Sequence, residues 1–140
     1  MTADSWRCLA VAFFVSSMGC QSAVAMTDSK SLNGRWLAED IPRGGVLDRI
    51  QTILEINVNG AVSGTGGCNR FTGRVSIAGK KITFGSVAST RMACTPAVMD
   101  QEGKFFAALD DVRAWRIDAT RHKLVLLDGN GNPVIVLARM

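Results

Sequence analysis

The sequence has one histidine, three prolines and no C-x-x-C pair, and each shortage argues against a class of function or structure. A triad-type serine or cysteine nucleophile needs a histidine base, and no acid stands at triad spacing from His122. A zinc site needs three or four ligands, which one histidine and scattered cysteines do not supply. The few prolines and the lack of a low-complexity tract argue against a linker or tail. The chain therefore predicts a folded domain without a metal or other cofactor.

The hydrophobic run near the start is short, covering 12 residues from Cys8 to Gly19. A bilayer-spanning helix needs about 20 apolar residues, so this run fits the apolar part of a secretory signal peptide instead. Cleavage at Ala23-Val24-Ala25 would remove a signal peptide of residues 1–25. Cleavage at the lipobox-like Ser17-Met18-Gly19-Cys20 would leave an acylated Cys20 that tethers the chain to a membrane. Both routes predict export, to the periplasm or as an outer-membrane lipoprotein of a bacterium.

Acidic residues are absent from a long central stretch, Ile56 to Met99. The 16 Lys and Arg against 12 Asp and Glu give a net charge of +4, which is too mild for a nucleic-acid binder. The basic patch inside this stretch predicts contact with an anionic envelope component; an ordinary solvated exterior is the alternative. Its members are Arg70, Arg74, Lys80, Lys81 and Arg91.

Two cysteines remain once Cys8 and Cys20 are assigned to the signal region. In an oxidising compartment such a pair forms a disulfide more often than a metal site, so Cys68 and Cys94 predict a disulfide. Closing a loop of this length would stabilise the fold by about 3 kcal/mol in the chain-entropy model. Two buried free thiols are the alternative.

Short alternating segments separated by tight turns make up the body of the chain. The pair Asn59-Gly60 predicts a hairpin turn in which both central residues have positive φ. No Lys-Ser/Thr pair follows Gly64 to Gly67, so these glycines indicate a bulge or close strand packing rather than a phosphate loop. The pattern predicts a mainly β fold with one α-helix, a small antiparallel barrel or sandwich of about eight strands. The predicted strands are Gly34–Ile41, Ile50–Asn59, Ala61–Thr65, Arg70–Ile77, Lys81–Val87, Ala114–Asp118, His122–Leu127 and Val134–Ala138.

The one predicted helix runs from about Pro96 to Val112. Thr95 can cap it, and Pro96 suits the first helical position, where no N–H is needed. We expect at least one of Phe105 and Phe106 to be a core residue, because apolar residues recur at helical spacing and predict that one face packs on the sheet. That stripe comprises Val98, Met99, Phe105, Phe106, Leu109 and Val112.

Glu102 falls inside the apolar stripe, where an unpaired carboxylate is costly. We expect Glu102 to form a buried pair with Arg91, just before the helix, with Arg70 as the rival partner. Capping amides would satisfy the carboxylate equally well. A boundary position, with the carboxylate reaching water, is the remaining alternative.

Three stretches of the sequence are specific when taken together: Gly67-Cys68-Asn69-Arg70-Phe71-x-Gly73, the run ASTRMAC from Ala88 to Cys94, and Met99-x-Gln101-Glu102. They resemble the META domain (HslJ-like) family over residues 32–139. The resemblance implies a small β-rich, barrel-like fold with one helix, bacterial export, and links to stress, motility or drug tolerance. It implies no catalytic residues. The matched positions form a motif cluster without an assigned role: Cys68, Asn69, Arg70, Thr90, Arg91, Met92, Cys94 and Glu102.

The sequence thus predicts a non-enzymatic, monomeric envelope protein, a stress-related binding or stability factor. The alternative is a carrier of a hydrophobic ligand or lipid, held in the barrel mouth between helix and sheet. A third class is an enzyme that uses Glu102 and Arg91. An open apolar cavity would favour the carrier, a filled interior the stability factor, and a water-accessible Glu102 in a cleft the enzyme.

Overall fold

The computed structural model describes residues 30–42 and 44–140, which form an antiparallel sheet and helix α1, Pro96–Asp111. Residues 30–32 are also helical and lead into the first strand. No helix in the described part of the chain is long and apolar enough to cross a bilayer. The predicted signal peptide, its two cleavage sites and Cys20 lie outside the described residues. The strands are β1 Gly34–Asp40, β2 Ile53–Ile56, β3 Ala61–Thr65, β4 Arg70–Ala78, β5 Lys81–Phe84, β6 Ala88–Ser89, β7 Ala114–Asp118, β8 Lys123–Leu127 and β9 Pro133–Arg139.

The sheet closes into a ring because β3 pairs with both β2 and β4. Around the ring the order is β3-β2-β1-β9-β8-β7-β5-β4, and the neighbouring strands are antiparallel. The strand β6 pairs with β4 alone, with Ser89 opposite Phe71 and Ala88 opposite Thr72. The prediction of a mainly β fold of about eight antiparallel strands is confirmed, as a ring-like sheet, with one long helix beside the short helical segment at residues 30–32.

The interior of the ring is filled by apolar side chains beneath helix α1. Two tryptophans anchor it: Trp36 is 2% exposed and Trp115 is 1% exposed. Each indole N–H donates a hydrogen bond to a backbone carbonyl, at 2.9 Å in both cases, so neither buried donor lacks an acceptor. The helix adds Phe105, which is fully buried, and this confirms that at least one of the two adjacent phenylalanines is a core residue.

Gly64 lets β2 and β3 approach closely, as the glycine-rich stretch predicts. A Cβ at this position would lie only 1.8 Å from the carbonyl oxygen of Ile53, and the φ of Gly64 is +153°. Any side chain would therefore push the two strands apart. Close strand packing is thus confirmed at this glycine.

The turn after β2 differs from its prediction. Gly60 has φ +81°, whereas Asn59 does not have a positive φ, so the expected turn with two positive-φ residues is wrong. The Gly60 N–H instead donates to the Asn57 carbonyl at 3.0 Å and closes a wider loop. Val58 lies in this loop and is 85% exposed, and the strand ends at Ile56, three residues before the predicted end at Asn59.

Helix α1 begins as predicted, with Thr95 at the N-cap position and Pro96 in the first turn. The Thr95 side chain makes no capping hydrogen bond, so its predicted capping role is wrong. Met99 is 37% exposed and lies off the buried face. Because the buried face follows steps of three and four from Val98, it takes in two polar residues at 101 and 102 instead.

Candidate functional site

Glu102 is the centre of a buried polar cluster on a helix face that is otherwise apolar, and its residue is 4% exposed. Its Oε2 accepts hydrogen bonds from the backbone N–H groups of Cys68 at 3.0 Å and Asn69 at 2.6 Å. Its Oε1 accepts a third from Nδ2 of Asn69 at 2.7 Å. Three donors therefore stabilise the carboxylate without a basic side chain.

The side-chain amide of Asn69 extends the cluster towards the residues that follow β6. Its Oδ1 accepts the Thr90 hydroxyl at 2.9 Å and the Met92 N–H at 2.6 Å. Its Nδ2 donates to the Met92 carbonyl at 3.2 Å as well as to Glu102. Exchanging the amide oxygen and nitrogen would set a donor against the Met92 N–H and an acceptor against both the Met92 carbonyl and the Glu102 carboxylate, so the orientation of Asn69 is fixed.

The disulfide between Cys68 and Cys94 crosses the same region, with the two Cα atoms 6.0 Å apart. It ties the loop between β3 and β4 to the residue just before the N-cap of α1. The predicted disulfide is therefore present in the structure. We call Glu102, Asn69, Thr90, the Met92 backbone and this disulfide the Glu102 cluster.

A second set of contacts, which was not assigned from the sequence, supports the cluster from the side of β2. The Gln101 amide nitrogen donates to the Thr52 hydroxyl at 3.0 Å, and that hydroxyl donates to the Gly66 carbonyl at 2.9 Å. A Cβ at Gly66 would lie 2.6 Å from Cγ of Glu102, so the carboxylate depends on glycine there. The spacing of Gln101, three residues after the buried Val98, is the sequence signal for its burial.

The predicted pair between Glu102 and Arg91 is wrong, and so is the rival pair with Arg70. Both arginines are exposed, and neither forms an ion pair within residues 30–42 and 44–140. The physical reason is that backbone and amide donors already satisfy the carboxylate, so no guanidinium has to leave water. The alternative of capping amides is confirmed, and a carboxylate that reaches water is wrong.

The motif cluster predicted from the sequence therefore divides in two. The Glu102 cluster brings together a side chain of α1, side chains of the loop before β4 and of the segment after β6, and the backbone at Met92. Arg70 and Arg91 lie outside it, as does the Met92 side chain, which is 59% exposed. Every buried side-chain nitrogen or oxygen in the described residues has a hydrogen-bond partner.

Two adjoining depressions flank β6 and the extended segment after it, and together we call them the β6 groove. One, of about 370 Å³, lies between residues 89–93 and α1 at Met99, Gly103 and Phe106. The other, of about 260 Å³, lies between residues 70–72 and 88–90. Glu102 and Asn69 border the first depression, but their polar atoms are turned into the cluster.

The polar groups of the Glu102 cluster are engaged with one another. Both carboxylate oxygens of Glu102 accept hydrogen bonds, and the Thr90 hydroxyl donates to the amide oxygen of Asn69. Within the described ranges no group of three or more His, Cys, Asp or Glu side chains is placed to hold a metal ion. What the cluster does is to fix residues 88–94 against β4 and the helix.

The oxidised state of Cys68 and Cys94 can be tested in the purified protein. Alkylation under denaturing, non-reducing conditions, read by peptide mass spectrometry, should find neither cysteine modified. Both should be modified after reduction, since the native bond is then open. Full alkylation of both cysteines without reductant would contradict the disulfide.

Three comparisons with known proteins bear on this fold. A family model described as the META domain matches residues 16–140. Similar solved structures include an NMR structure of a protein from Burkholderia xenovorans, 21% identical, covering 99% of each chain with a TM-score of 0.63. A second NMR structure is 21% identical, covering 77% of this chain and 90% of the other, with a TM-score of 0.57. A crystal structure of a DUF4847 family protein from Bacteroides vulgatus ATCC 8482 is 14% identical, covering 80% and 96%, with a TM-score of 0.55. The curated proteins give no match.

Proposed function

Because the chain belongs to the META domain family, we propose that it is a non-enzymatic protein of the cell envelope that acts by binding a partner. On this proposal the Glu102 cluster holds a binding surface in position and is not a reaction centre. The protein works in the periplasm, or on the outer membrane if Cys20 is acylated. Its role is that of a binding or stability factor.

The observation that carries the proposal is the occupied carboxylate of Glu102. A general base needs a carboxylate that reaches the proton it removes, in a plausible position of the substrate. Here the two oxygens accept three hydrogen bonds from Cys68 and Asn69. The bonds hold the loop before β4 and residues 88–94 in one arrangement, which is the work of a scaffold.

The filled interior supports a binding surface over a carrier. The largest side chains of the interior are each at most 2% exposed: Trp36, Trp115 and Phe71 of the strands and Phe105 of α1. A carrier of a hydrophobic ligand encloses most of that ligand in a cavity. The apolar space that this protein offers lies on its surface, in the β6 groove.

The disulfide supports the export that we propose. Disulfides persist in oxidising compartments and are rare in the cytosol, where thiols are kept reduced. The bond between Cys68 and Cys94 braces the same loops as the hydrogen bonds of the cluster. A domain of this kind keeps both its disulfide and its hydrogen bonds outside the cytoplasm.

Export predicts a specific mass for the mature protein. Expressed from the full sequence in a Gram-negative host, it should lack either 25 N-terminal residues or 19 residues with acyl mass on Cys20. Intact-mass spectrometry of membrane and periplasmic fractions distinguishes the two, and the Cys20→Ala variant is the control that should lose the acyl mass. A full-length product in the cytoplasm would overturn the proposal.

A further inference from the structure

The strand β6 leaves an open sheet edge. Each ring strand has a neighbour on both sides, but β6 is hydrogen-bonded to β4 alone in the part of the chain that the structure describes. The Thr90 N–H donates to the Arg70 carbonyl at 3.0 Å, in line with Ser89 opposite Phe71. Because inward and outward groups alternate along an antiparallel strand, Ser89 turns its N–H and C=O away from β4. An edge of this kind can accept another strand.

Apolar surface lies next to this edge. Met92 is 59% exposed and Met99 is 37% exposed, and both line the larger half of the β6 groove with Phe106. The smaller half is bordered by Phe71, which is itself buried and whose ring packs against that of Phe106 with centroids 5.5 Å apart. An added strand projects alternate side chains to opposite faces, so depressions flanking an edge can receive them.

The charge around the groove is positive. Arg70 borders one half and Arg91 the other, and both are exposed. No acid occurs from Ile56 to Met99, and the next one, Asp100, is ion-paired with Lys104 at 2.6 Å. The carboxylate of Glu102 is already occupied within its cluster. An incoming chain with carboxylates beside its apolar residues therefore fits this charge.

The edge is also held in place before any partner arrives. Asn69 binds Thr90 and both backbone groups of Met92, and the disulfide fixes Cys94. A rigid edge loses little conformational entropy when a strand is added, which favours binding. The motif residues Asn69, Thr90 and Cys94 thus hold the open edge in position.

From these features we infer that β6 binds an extended acidic segment of a partner protein, which adds a strand to the sheet and places its apolar side chains in the β6 groove. The inference rests on the proposed binding function and names the chemistry of the partner. Backbone hydrogen bonds to Ser89 align the added strand. Met92 and Met99 contact its apolar side chains, and Arg70 and Arg91 attract its carboxylates.

The decisive variants are Ser89→Pro and its matched control Ser89→Ala. Proline removes the N–H of Ser89, which points away from β4, and leaves the hydrogen bonds of the adjacent residues to β4 in place. Alanine keeps this N–H and removes only the hydroxyl. The probe is a pool of short synthetic peptides in which glutamate is combined, in varied order, with valine, leucine and phenylalanine. By fluorescence anisotropy, Ser89→Pro should bind about tenfold more weakly than wild type, and Ser89→Ala should bind as wild type does.

The variant Arg91→Gln tests the role of the charge. Its control is Arg121→Gln, which replaces an exposed arginine in a different hairpin. Arg91→Gln should weaken binding several-fold and Arg121→Gln should not, and replacing glutamate by lysine in the pool should abolish binding. If Ser89→Pro does not fold, the exchange rate of the Ser89 amide hydrogen in the wild-type protein is measured instead. A slower exchange in the presence of the peptides supports the inference, and an unchanged rate overturns it.

Two further results would overturn the inference. One is that no peptide in the pool binds wild-type protein more tightly than about 1 mM. The other is that phosphatidylglycerol vesicles bind in an Arg91-dependent manner that Ser89→Pro leaves unchanged, since this would assign the groove to a membrane surface. Either result leaves the mature mass unaffected, so it is distinguishable from a failure of export.

Discussion

Replacing Glu102 with alanine should lower the free energy of unfolding by about 3–5 kcal/mol, because it leaves buried donors without acceptors. The backbone N–H groups of Cys68 and Asn69 and the Asn69 amide would lose their common partner. Each buried donor left unsatisfied costs roughly 1–3 kcal/mol. Urea unfolding followed by circular dichroism measures the change.

The matched control is Asp100→Ala, on the same helix turn. Asp100 is an exposed carboxylate paired with Lys104, so its loss should cost under about 1 kcal/mol. Glu102→Gln should lower the free energy of unfolding by an intermediate amount, since its amide nitrogen would face the Asn69 amide donor. Equal costs for Glu102→Ala and Asp100→Ala would show that the cluster does not stabilise the fold.

Replacing Phe105 with alanine should also cost about 3–5 kcal/mol, in this case by opening a cavity in the core. Phe105 is fully buried, and its ring centroid lies 5.7 Å from those of both Phe71 and Phe106. The surrounding ring of strands is closed by backbone hydrogen bonds, so it collapses only partly into the space left.

Phe106→Ala is the comparison for this prediction, because the same side chain is removed one residue along the helix. Phe106 is half-buried at the groove, so its loss should cost about 1–2 kcal/mol. Urea unfolding of both variants measures the difference. A cost under about 1 kcal/mol for each would mean that α1 does not pack on the sheet.

Much of the sheet could be predicted because period-2 alternation is a local signal. The bounds of β3 and β7 agree with the prediction, and β4 differs from it by one residue. The two-residue strand β6 has no such signal. Its pairing depends on β4 and on the Asn69 amide, which lie about 20 residues earlier in the chain.

The burial of Glu102 could be predicted from its helical position, but its partners could not. Side chains of opposite charge can be found in a sequence, which is why Arg91 was the natural candidate. Backbone N–H groups occur at nearly every residue, so nothing in the sequence singles out those of Cys68 and Asn69. The fold selects them by bringing the loop before β4 under the helix.

The pairing of β1 with β9 joins Gly34–Asp40 to Pro133–Arg139, the first and last strands of the described sheet. The ring cannot close until the last strand has been synthesised, and at the usual speed of translation that takes roughly 5–20 s after β1 is made. Loop-closure entropy delays such long-range pairing further. During that interval β1 lacks its partner β9, so the ring stays open on that side. The topology thus separates the time of synthesis from the time of folding.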